Sequence, residues 1–124
     1  MTDSREGEMK DIENIDVKRT FELVLSRNDY CYCILKSLDE ELSGKPLPVI
    51  PEDNMEFILW HHRGLVEYSD IPFQARSSVT PEMMMPFVKL PPSQQKRVLY
   101  RASILCVWLF DGLFTPFKLI YKED

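Results

Sequence analysis

Between Val98 and Phe114 only Arg101, Ser103, Asp111 and Gly112 interrupt the apolar character of the chain. Arg97 and Arg101, four residues apart, allow one solvated stripe on the early turns of a helix. From Ile104 to Phe110 every direction around such a helix is apolar, so it has to be surrounded. The stretch falls far short of the roughly 20 residues that a bilayer demands, and no transmembrane helix is expected. In 124 residues, 44% of them hydrophobic and 28% charged, the other elements suffice to wrap one central helix. The other reading is an interface, with part of the apolar material left for a partner. It draws on further large apolar residues outside this helix, Trp60, Phe73, Met83, Met84, Met85, Phe87, Phe114 and Phe117, many of them on short pieces bounded by prolines.

Length bounds the organisation to one domain, since two cores would need roughly 100 residues each. Residues 1–10 are polar and acidic and are expected to form a flexible N-terminus, with a single globular helical domain over 11–124. Asp16 is a candidate N-cap for apolar residues at Val17, Phe21, Val24, Leu25, Tyr32, Leu35, Leu38 and Leu42, a helical spacing stopped by Gly44 and Pro46. Ser26-Arg27-Asn28-Asp29 is the weak point, so one helix and two both remain open. Alternation over residues 20–35 also permits a hairpin turning at Asn28-Asp29.

Pro46, Pro48 and Pro51 make residues 44–53 an extended connector whose Leu47, Val49 and Ile50 can lie on the core. Asp53 is placed to cap a helix through Met55, Phe57, Ile58, Leu59 and Trp60, ended by Gly64. Thr80-Pro81-Glu82 starts a short element that Pro86 interrupts. Pro91-Pro92-Ser93 starts the long helix, which Gly112 caps, and Thr115-Pro116 starts a last short helix from Phe117 to Lys122. The expected fold is mainly α, a compact bundle of four to six helices with proline-rich connectors. The alternative is α+β with a hairpin around residues 20–35.

The residues exclude several chemistries. Gly7, Gly44, Gly64 and Gly112 are all at least twenty positions apart, so no glycine-rich phosphate loop exists. Cys31 and Cys33, with His61 and His62, do not have the usual zinc spacing, and the histidines read as the dipole-favoured last turn before Gly64. No Gly-x-Ser-x-Gly elbow is present, and the three cysteines read as small buried apolar groups. No catalytic residue, metal or cofactor is expected. The acidic start rules against a secretory signal, and an odd number of cysteines without a sequon fits a cytoplasmic setting.

Charge is uneven. Residues 1–60 carry fourteen acids and seven bases, net -7, and residues 61–124 carry six acids and eight bases, net +2, which together give -5. Asp39, Glu40 and Glu41 oppose the dipole at a helix C-terminus, and we read them as a docking patch for a basic partner. Lys89, Lys96, Arg97 and Arg101 form the basic start of the long helix, the alternative site for nucleic acid. Leu90 to Leu99 resembles the opening of the DNA-reading domain of bacterial sigma factors. The resemblance covers ten residues and ends where Ser103 to Phe110 turns apolar, so the function does not carry over.

The functional expectation is therefore a non-enzymatic protein-binding module, an inhibitor, adaptor or regulator that docks sterically through an apolar face. Its partner is another protein or a second copy of itself. The binding residues are Met83, Met84, Met85, Phe87, Trp108, Phe114 and Phe117, with Asp39, Glu40 and Glu41 steering. The alternative is a small DNA-binding regulator.

Overall fold

Asp16 opens the first helix as expected, its carboxylate accepting the Arg19 N–H at 3.1 Å. The computed structural model describes residues 12–69, 79–109 and 118–122. Among the described residues the α-helices in order are α1 (Val17–Leu25), α2 (Asn28–Leu42), α3 (Asn54–Ser69), α4 (Met85–Val88) and α5 (Pro92–Leu109). A 3-10 turn, Pro81–Met84, runs directly into α4. The protein is mainly helical, and no strand occurs among the described residues, so the hairpin alternative over 20–35 is wrong. The chain breaks at Ser26 instead, whose hydroxyl and backbone N–H both return to the Leu23 carbonyl and end α1.

α5 is the axis of the bundle. It packs most extensively on α2, then on α3 and α1. Val98, Leu99, Ala102, Leu105, Cys106 and Leu109 are all buried, in one core with Val24, Cys33, Ile34 and Leu38. Surrounding α5 in this way satisfies its all-round apolar sequence. Gln95 ties α4 to α5, its amide donating to the carbonyls of Phe87 and Val88 at 3.2 and 3.1 Å.

Three expectations need correction. The last helix does not form over 118–122, which is extended and pairs with the segment ahead of α1. Asp16 N donates to Ile120 O at 2.7 Å, Lys122 N to Asn14 O at 2.8 Å, and Thr20 exchanges hydrogen bonds with the Ile120 backbone. Those backbone groups find a partner that a lone terminal turn would lack. Gly64 does not end its helix; α3 continues to Ser69, and Gly64 lies buried where the helix crosses α5. His61 and His62 are consequently mid-helix. In the connector only Leu47 packs on the core, while Val49 and Ile50 are exposed. The N-terminal residues 1–10, Phe73, the Gly112 cap and the Thr115-Pro116 start lie outside the described residues.

Candidate protein-interaction face

α3 is held to the bundle through α5 alone among the more extensive helix contacts. Asp53 caps it, accepting the Glu56 N–H at 3.0 Å. Advancing 100° per residue, Phe57, Trp60, His61, Gly64 and Leu65 share the inner side. A Cβ at Gly64 would overlap the Trp108 carbonyl, so only glycine permits this approach. Phe57 stacks on His61 with centroids 6.0 Å apart and meets Trp60 at 5.7 Å. His61 Nδ1 and Trp108 Nε1 are buried without a hydrogen-bond partner among the described residues. Close packing at Gly64 thus holds this seam, and the aromatic contacts order the inner side of α3 itself.

The outer side of the same helix is also apolar. Met55, Ile58, Leu59 and Val66 are between 50% and 65% exposed, with His62 among them, and fall within about 100° of the helix circumference. Val49 and Ile50 lie exposed in the connector just ahead. The charges Glu56 and Arg63 sit along one flank of this stripe and are exposed.

Of the residues expected to bind a partner, the structure places Met84 and Phe87 in the core, Phe87 with its ring 5.0 Å from that of Phe21. Neither is available as a surface anchor. Met83 and Met85 remain 45% exposed, beside an exposed Val88. Trp108 is half-buried and lines a cavity of about 200 Å3 with Trp60, Arg63 and Ile104. Phe114 and Phe117 lie outside the described residues.

The acidic and basic candidates meet each other. Arg101 is 1% exposed and its guanidinium donates to Glu41 Oε2 at 2.8 Å and to the carbonyls of Lys45 and Pro46 at 2.7 and 3.0 Å. Arg97 pairs with the other Glu41 oxygen at 2.5 Å, and Glu40 lies 3.6 Å from Arg101. Burial pushes the Glu41 carboxyl up, but the hydrogen bonds and charges of the two arginines outweigh it and hold its pKa below the usual range. Glu41 and Arg101 are therefore an internal lock that ties α2 and the connector to α5. Asp39 is left exposed, as is Lys89, while Lys96 donates to the Glu13 carbonyl at 3.0 Å.

Met55, Ile58, Leu59 and Val66 were not among the binding residues inferred from sequence. The available signal was that the sequence from Met55 to Val66 is apolar on both sides of a helix. Among the described residues, no group of three or more His, Cys, Asp or Glu side chains is arranged to hold a metal, and no helix is long and apolar enough to cross a membrane. No protein-family model, curated protein or solved structure matches the chain.

Proposed function

We propose that this chain is a non-enzymatic protein-binding module, an inhibitor, adaptor or regulator that works by steric docking through the outer face of α3. The observation that carries the reading is a helix apolar on both sides and packed against the bundle on one. A contiguous exposed apolar stripe of this kind marks interaction surfaces. Met83, Met85 and Val88 offer a second, smaller apolar patch, and Asp39, exposed and in no ion pair among the described residues, is able to steer a basic partner. The nucleic-acid alternative draws no support from Arg97 and Arg101, whose guanidinium groups are committed to Glu41.

The test is capture by tagged chain in cells that produce it, comparing the unchanged protein with an Ile58→Lys/Leu59→Lys variant of confirmed helicity. A protein retained by the first and lost from the second supports docking through α3. Equal retention by both, or a salt-sensitive shift of DNA in place of protein capture, overturns it.

A further inference from the structure

We infer that the outer face of α3 pairs with the same face of a second copy of this chain, antiparallel about a twofold axis. The inference rests on the docking reading above and names its partner. Around the helix, His62, Met55 and Val66 form the centre of the stripe, with Ile58 and Leu59 at its two margins. A twofold axis near the middle of α3 sets Met55 level with Val66 of the second copy and Leu59 level with its His62. Every exposed apolar side chain of the stripe then meets the stripe opposite, which is the self-complementarity that a twofold contact requires.

The charges select this orientation. Glu56 and Arg63 lie on the same flank, two helical turns apart, and neither makes an ion pair among the described residues. In the antiparallel arrangement like flanks face each other, and Glu56 comes within about 3 Å of level with Arg63 of the second copy along the axis. Two symmetry-related ion pairs result. A parallel arrangement would instead set this flank against the opposite one, where Ile58 and Leu65 offer no charge to Glu56 or Arg63. Val49 and Ile50 extend the face toward the ~800 Å2 per partner that a standard interface buries. Each copy is net -5, which opposes association at long range, so the local pairs and the apolar stripe have to outweigh it.

Light scattering across gel filtration, with sedimentation equilibrium from about 1 to about 500 μM, reads the outcome as a mass and a dissociation constant. The unchanged chain is expected to reach twice its monomer mass, and Leu59→Lys to remain a monomer. Glu56→Arg and Arg63→Glu each weaken the dimer about tenfold, and the double variant Glu56→Arg/Arg63→Glu recovers most of that loss because the pairs re-form with signs exchanged. The charge variants lie on the surface and keep the test decisive even where Leu59→Lys fails to fold. A monomer throughout overturns the self-pairing but leaves intact a protein capture that depends on Ile58 and Leu59, so the two readings fail separately. A dimer indifferent to both charge reversals also overturns it.

Discussion

Arg101 is the largest fully buried side chain described, and its charge is tolerable because Glu41 and two connector carbonyls receive its N–H groups and Glu40 lies 3.6 Å away. Removing the Glu41 charge leaves that buried guanidinium only the longer contact with Glu40 at 3.6 Å, so Glu41→Gln should cost about 2 kcal/mol in urea unfolding at neutral pH. The pH dependence follows from the lowered Glu41 pKa. The folded-state value lies below the unfolded one, so the stabilisation is present above the ordinary carboxylate range and is lost as pH falls through the folded value. The gap in urea midpoint between the unchanged chain and Glu41→Gln should therefore close in acid; a gap constant with pH would contradict the lock. The thiols have a separate signature. Cys33 and Cys106 are fully buried with sulfurs 3.0 Å apart, and Cys31 donates to the Val24 carbonyl at 3.4 Å. Burial, with the Cys106 contact, pushes the Cys33 thiol well up, and burial raises Cys31. Alkylation counted by intact mass should find these thiols protected in the native protein and all three cysteines reactive in urea.

The helices owe their starts to local chemistry and their extents to what they touch. Asp16, Asp53 and the Pro91-Pro92-Ser93 sequence were readable because a cap or an N-terminal proline acts within one turn. Gly64 was not, because glycine after an apolar run signals a helix end just as well as a close crossing, and only the position of Trp108 decides between them. Gly64→Ala tests that decision. In an exposed helix it would stabilise by up to about 1 kcal/mol, whereas here the added methyl forces α3 off α5 and should destabilise by roughly 1–3 kcal/mol in the same unfolding assay. The extended segment 118–122 escaped the sequence for a similar reason, since its pairing partner lies about a hundred residues away at Asn14 and Asp16. Thr20→Val, which removes both hydrogen bonds to the Ile120 backbone while keeping the side-chain volume, should cost about 1–2 kcal/mol.

For the molecule as a whole, an excess of apolar side chains over buried space was legible in the sequence, but the element that would carry it was not. Proline-bounded pieces bury poorly by themselves, which pointed to Met83–Phe87. The packing of the 3-10 turn and α4 on α2, with Phe87 against Phe21 of α1, instead hides Phe87 and Met84 and leaves α3 at the edge. Neither outcome is encoded within a single helix, because both depend on which neighbours reach it. That asymmetry should also appear in the dynamics. α5 and α2 are enclosed on several sides and tied by the Glu41–Arg101 pair, whereas among the described elements α3 rests mainly on one helix, across a seam with two polar nitrogens that find no partner among the described residues. Segments with few buried contacts open without global unfolding. In native-state hydrogen exchange at a concentration too low for association, amides of α3 should exchange at least about tenfold faster than those at the centres of α2 and α5. They should also show little dependence on denaturant, as local openings do. Raising the concentration, or adding the partner that covers Leu59 and Ile58, should slow α3 selectively. Exchange of α3 only through the global transition would mean that the α5 seam alone anchors it as firmly as the core, and its outer face would then need no cover for stability.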